Sequence, residues 1–202
     1  MKRIGLFALF LVFALASCVQ AQGLLIDDFE GEITGGTDGT VDFGSGNGSS
    51  VNVSAASDIK NTGAQSLKVE FDAIPGGYMW VARGYGLDVK TAACWLIEPE
   101  DIDWSQYTAV AFYMHGENSN TKIAFDVKDA GGEMWRSIVE DNFTGWKQIV
   151  CSFDFLFARS DWQPNTADVN GTLDFPLKSF QFEPLAESKG VLYFDTVELV
   201  SQ

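Results

Sequence analysis

Ala109-Val110-Ala111-Phe112-Tyr113-Met114-His115, the turn Gly116-Glu117-Asn118, and Lys122-Ile123-Ala124-Phe125-Asp126-Val127-Lys128 decide the fold class. Both runs are short and carry β-branched and aromatic residues, and the second sets Ile123, Phe125 and Val127 against Ala124 and Asp126. A period of two is that of a strand with one buried face, and Gly with Asn supplies the backbone freedom of a tight turn. The pattern repeats in both directions. Leu24 to Phe29, Ser49 to Ala55, Ser66 to Phe71, Tyr78 to Arg83, Met134 to Val139, Trp146 to Phe153, Lys178 to Glu183 and Val191 to Val200 read as further strands. Gly44-Ser45-Gly46-Asn47-Gly48, Pro75-Gly76-Gly77, Asp129-Ala130-Gly131-Gly132 and Ser188-Lys189-Gly190 read as turns. No stretch of a dozen residues keeps a helical apolar stripe free of Gly or Pro. The expectation is an all-β chain, a jelly-roll β-sandwich of two antiparallel sheets. The Gly/Thr/Ser-rich segment from Thr34 to Ser50 reads as a loop.

Residues 1–17 read as a signal peptide: Lys2 and Arg3 precede an apolar run from Ile4 to Ala16, too short to span a bilayer. Leu15-Ala16-Ser17-Cys18 resembles a bacterial lipobox, which implies lipidation of Cys18 and a lipoprotein on the membrane or cell surface. Cleavage after Val19-Gln20-Ala21, giving a secreted or periplasmic protein, is the alternative. A short tether, 18–23, then leads into one domain, 24–202, a length suited to one core. Without Lys2 and Arg3 the chain has 11 basic residues against 28 acidic ones. That balance disfavours nucleic acid and anionic headgroups, so membrane association is expected only through the lipid. Cys94 and Cys151 form an even pair in an exported protein, which allows a disulfide without fixing their separation.

Arg159-Ser160-Asp161-Trp162-Gln163-Pro164, followed by Asn170-Gly171-Thr172-Leu173-Asp174-Phe175, sets a cation, a carboxylate and an indole within four residues of a proline-bounded loop. A sugar ring has an apolar C–H face that stacks on an aromatic plate and a rim of hydroxyls that bond to guanidinium and carboxylate. Arg159, Asp161 and Trp162 supply all three contacts. The alternatives are a loop anchor for Trp162 and a surface ion pair for Arg159 and Asp161.

Together with Ile26-Asp27-Asp28-Phe29-Glu30-Gly31, Asp103-Trp104-Ser105-Gln106-Tyr107, Gly132-Glu133-Met134-Trp135, Gly145-Trp146-Lys147 and Phe194-Asp195-Thr196-Val197-Glu198-Leu199, these segments make the chain resemble the family 11 carbohydrate-binding modules from about Leu24 to Val200. The resemblance implies a galactose-binding-like jelly roll that holds β-1,4 or mixed-linkage β-1,3-1,4 glucan on a concave sheet face. It also implies structural calcium and a glycoside hydrolase acting nearby. It assigns ring stacking to Trp162 and Tyr78, and hydroxyl contacts to Arg159 and Asp161. Trp135 is a candidate beside the cleft with core packing as its alternative, and Trp80 stays open. Trp104, Tyr107 and Trp146 read as core. Calcium ligands are expected at Asp28, Glu30 and Asp195, with edge-strand solubility charges as the alternative. The chain departs from the family pattern at Lys178, Pro184 and Gly131, where an acidic residue, an aromatic and an aspartate are expected.

His115 is the single histidine, so a two-histidine zinc site is excluded and any His-dependent triad would need that residue. Asp126 with Asp129, or Glu140 with Asp141, could in principle serve a glycosidase. Neighbouring residues on a strand face opposite ways, however, and the turn acids read as solvated. The reading is a non-catalytic module supporting polysaccharide degradation, with a structural or assembly protein of the cell envelope on the same fold as the alternative.

Overall fold

The computed structural model describes residues 23–201, so the signal segment and Cys18 lie outside it. Twelve strands, β1 to β12, follow in order: Leu24–Asp27, Asp42–Gly46, Ser50–Ala56, Ser66–Ala73, Tyr78–Gly84, Ala109–Glu117, Lys122–Lys128, Met134–Glu140, Thr144–Ser152, Phe157–Ala158, Ser179–Pro184 and Ser188–Val200. Among the described residues the helical elements are four single 3₁₀ turns. One sheet runs β3-β4-β12-β6-β9 with β1 also on β12, and the second runs β10-β8-β7-β11-β5-β2. All pairings are antiparallel.

The core lies between the sheets. Phe112 of β6, Phe125 of β7, Phe182 of β11 and Phe194 of β12 are fully buried, and the Phe182 and Phe194 rings stack at 3.8 Å between centroids. Asp27 and Arg83 form a buried ion pair at 3.1 Å, with the guanidinium over the Phe29 ring. Cys94 and Cys151 are both free thiols.

The ten expected strands all form, with ends that differ by at most three residues. Two further strands stand where none is expected. Asp42–Gly46 lies inside the segment read as a loop, yet it pairs with β5 from Asp42 opposite Ala82 to Gly46 opposite Tyr78. Phe157–Ala158 is a two-residue edge held by Arg136 and Trp135 of β8. Trp104 is buried and Tyr107 packs on the core as expected. Trp146 is not core: it stands opposite His115, edge-on to that ring at 5.4 Å, on the outer face of the first sheet. The turn acids read as solvated are not: Asp129 and Asp141 are fully buried among hydrogen-bond donors, as is Asp126 on β7.

Candidate functional site

Because Ile123, Phe125 and Val127 of β7, Phe180 and Phe182 of β11, and Met79 and Val81 of β5 face the core, their neighbours must face outward. Strand register then lines up Ala82, Gln181, Asp126, Arg136 and Phe157 across five strands of the second sheet. Tyr78 and Trp80 of β5 share this face near the β2 edge. From β5 to β10 there are four strand spacings, roughly 19 Å.

A charged hub occupies the middle. Asp126 accepts from Arg136 Nε at 2.7 Å, Arg136 Nη2 at 2.9 Å, Arg159 Nη1 at 2.9 Å and Gln181 Nε2 at 3.2 Å. Glu183 pairs with Arg136 and lies 3.3 Å from Arg159 Nη1. Arg159 also donates to both oxygens of Asp161, at 3.1 and 2.8 Å, and its guanidinium lies 5.6 Å from the centre of the Trp162 ring. The hydrogen bonds from Arg159 hold the Asp161 carboxyl down at about 2. Burial pushes the Glu183 carboxyl upward against the pull of both arginines. Burial also disfavours the charge on Arg159, but Asp161, Asp126 and Glu183 outweigh it and raise the guanidinium further. Asp126 thus anchors two arginines in the sheet, while the Asp161 side chain remains 59% exposed. The Arg136 and Arg159 side chains are only 9% and 8% exposed and donate within the hub, so the ionised Asp161 carboxylate is the hub group most open to a polyhydroxylated ligand.

Aromatic plates flank the hub. Tyr78 and Trp80 lie near-parallel, 13° apart with centroids 6.2 Å apart, and Tyr78 is 51% exposed. Opposite them on β2 stand Gly46 and Gly44, where a Cβ would come within 2.3 Å of the Tyr78 ring and 2.5 Å of the Trp80 ring. Trp80 Nε1 donates to Asp42 at 2.9 Å, which fixes the indole. On the far side Trp162 is 54% exposed. The face therefore presents rings at both ends and hydrogen-bonding groups between them.

The model of the carbohydrate binding domain (family 11) matches residues 16–202. The chain belongs to family 11 of the carbohydrate-binding domains. Among curated proteins, this family 11 chain is similar to Endoglucanase H of Acetivibrio thermocellus, 26% identical over 87% of the chain and 18% of that protein. It is also similar to a mannan endo-1,4-beta-mannosidase of Bifidobacterium adolescentis, 25% identical over 64% of the chain and 11% of that protein. The chain thus spans under a fifth of either relative. Among solved structures it shares its fold with the family 11 module of the cellulosomal cellulase Lic26A-Cel5E of Clostridium thermocellum: TM-score 0.67, 21% identity, covering 90% of this chain and 96% of that one. The Clostridium thermocellum family 11 module in complex with a β-1,3-1,4-mixed-linked tetrasaccharide gives TM-score 0.67 at 22% identity, covering 89% and 95%.

In this family 11 domain the structure brings Tyr78, Arg159, Asp161 and Trp162 to one face. It does not bring Trp135 there. Trp135 is 8% exposed, turned into the core, with its Nε1 donating to buried Asp129 at 3.0 Å. Asp28, Glu30 and Asp195 do not gather as one ligand group, and no group of three His, Cys, Asp or Glu side chains placed to hold a metal exists among the described residues. Asp28 only accepts from the Glu30 N–H. Glu30 accepts from Ala64 and Gln65, and Asp195 from Asn61 and Thr62, so both grip one loop. Lys178 and Gly131 border a pocket of about 430 Å³ that Lys128 and Pro164 also line. A Cβ on Gly131 would lie 2.5 Å from the Asp168 carboxylate, and Lys178 pairs with Glu100. Pro184 closes β11 opposite Ile123.

Arg136, Gln181 and Glu183 are residues of this face that the sequence does not single out, and Asp126 is read there only as a possible partner of Asp129. Alternation within Lys122–Lys128 does put Asp126 on the face opposite Phe125. Only the pairing of β8, β7 and β11 shows that it meets Arg136 and Gln181, and only the chain after β10 brings Arg159 to it.

Proposed function

We propose that this domain is a non-catalytic module that binds a β-1,4 or mixed-linkage β-1,3-1,4 glucan across the outer face of its second sheet. One observation carries the reading: exposed Tyr78 and Trp162 flank a hub of Arg136, Arg159, Asp126, Asp161 and Glu183 on a single face. Rings take the apolar face of a pyranose, while the arginines and Asp161 fix its hydroxyls. The complex of a similarly folded family 11 module with a β-1,3-1,4-mixed-linked tetrasaccharide supports this choice of ligand. The glucanase and mannanase among its relatives support a place beside a glycoside hydrolase. Affinity electrophoresis against cellulose derivatives, lichenan, barley β-glucan, xylan and mannan tests it. Retardation by lichenan and barley β-glucan is expected, and a protein that migrates unchanged in every gel would falsify the reading.

The proposal includes export and lipidation at Cys18, which sets the domain on the cell surface. The native protein then partitions into detergent, and Cys18→Ser moves it to the aqueous phase. Calcium belongs to the proposal as a brace of the loop gripped by Glu30 and Asp195. Beside those two carboxylates, the Phe29 and Gly31 carbonyls converge on Gln65 Nε2. The Gln65 amide nitrogen fills the point on which these oxygens converge, so a calcium ion would have to displace it.

A further inference from the structure

We propose that the glycan-binding face continues beyond the hub onto Phe155 and Phe157, which form an additional stacking subsite for a longer neutral glycan. The inference rests on the glucan reading of that face.

Phe157 stands opposite Arg136 in the β10–β8 register, so its side chain shares the outer face with the guanidinium that anchors the hub. Leu156 turns into the core at 8% exposure. Phe155 ends the 3₁₀ turn Phe153–Phe155 and stands two residues before Phe157 across the extended Leu156. Phe155 is 82% exposed and Phe157 50%. Ile138, two residues along β8 from Arg136 and 43% exposed, adds to the apolar area of this face. The apolar patch begins where the charged hub ends.

Burying these rings would be favourable, yet the fold leaves them out, and an exposed patch continuous with a binding face marks an extension of it. The chemistry around it selects the occupant. A two-residue edge strand offers too short a ladder for a partner to add a strand. A formal charge of −15 opposes an anionic lipid surface. A neutral sugar chain that already crosses the hub reaches the rings by adding residues, with C–H faces on Phe155 and Phe157 and hydroxyls toward Arg136.

Calorimetric titration with mixed-linkage and β-1,4 oligosaccharides of four, six and eight sugars, on wild type and on Phe155→Ala/Phe157→Ala, tests the subsite. Wild-type affinity is expected to rise about tenfold from the shortest to the longest ligand. The double variant should bind the short ligand as wild type does, lose the gain with length, and keep its melting temperature. Equal length dependence in both proteins, or none in the wild type, would overturn the subsite while leaving the glucan reading intact. Failure of the wild type to bind any length would remove both. A self-association seen in sedimentation and abolished by the double variant would assign the patch to an interface between copies and overturn the proposal.

Discussion

Gly44 stands directly opposite Trp80 across β2 and β5, at a distance where any Cβ would lie 2.5 Å from the indole. The glycine is there for its neighbour: it lets the ring lie over the strand while Asp42 receives the indole N–H. Gly46 does the same for Tyr78.

Gly46→Ala and Gly44→Ala should therefore differ. Tyr78 is exposed and meets the new methyl with the far end of its ring, so Gly46→Ala should cost little stability yet tilt the plate and weaken glucan binding about three- to tenfold. Trp80 is tethered to Asp42, so Gly44→Ala should also lower the melting temperature. Titration calorimetry with thermal melts reads both. Unchanged affinity in Gly46→Ala would show that Tyr78 does not stack on the ligand.

The same glycines explain why β2 is illegible in the sequence. Residues 42–46 hold one large apolar side chain, Phe43, so the alternation that reveals β7 is erased by the needs of β5. β10 is two residues long and exists because β8 offers an edge. Trp162 is legible because an indole in a polar, proline-bounded loop has few other uses. Trp135 is misassigned because Met134 and Trp135 are both apolar, which leaves the phase of β8 undefined until Arg136 meets Asp126. Asp126, Arg136 and Glu183 are single charged residues on three strands that long-range register makes one group, whereas Arg159 and Asp161 lie together in the loop after β10 and are legible there.

Acid should separate Asp161 from Glu183. The Asp161 carboxyl is held at about 2 by Arg159, against an ordinary 3.8. Its contribution to folding is complete above that ordinary value and is lost as the pH falls through about 2. Burial raises Glu183 above its ordinary 4.5, so its contribution has the opposite sign, present below that value and lost as the pH rises through its folded value. Denaturant midpoints against pH should show the low-pH fall flattened in Asp161→Asn and the higher-pH decline flattened in Glu183→Gln. Profiles that superimpose on wild type would mean that neither carboxyl differs between folded and unfolded chains.

Asp195→Ala should lower the melting temperature even in chelator, because the Asn61 and Thr62 N–H groups lose their acceptor, at a cost of about 1 to 3 kcal/mol. Calcium should raise the wild-type melting temperature by the linkage term RT ln(1 + [L]/Kd), and that increment should vanish in the variant. Identical wild-type melts in calcium and chelator would leave Asp195 as a loop clamp alone.

Trp162→Ala and Trp135→Ala should divide binding from folding. Trp162 is 54% exposed and held by its contact with the Arg159 guanidinium, so truncation should leave stability within about 1 kcal/mol. The lost stacking contact should weaken retardation in lichenan gels by about tenfold in affinity. Trp135 is buried and hydrogen-bonded to Asp129, which also receives the Glu133 and Asp174 N–H groups, so its removal opens a cavity and frees part of a buried acceptor. That substitution should cost about 3 to 5 kcal/mol. Whatever Trp135→Ala protein remains folded should bind glucan with wild-type affinity, because its ring never reaches the outer face. Loss of affinity in folded Trp135→Ala, with Trp162→Ala unaffected, would place the ligand on a different surface from the one that Arg159 and Asp126 organise.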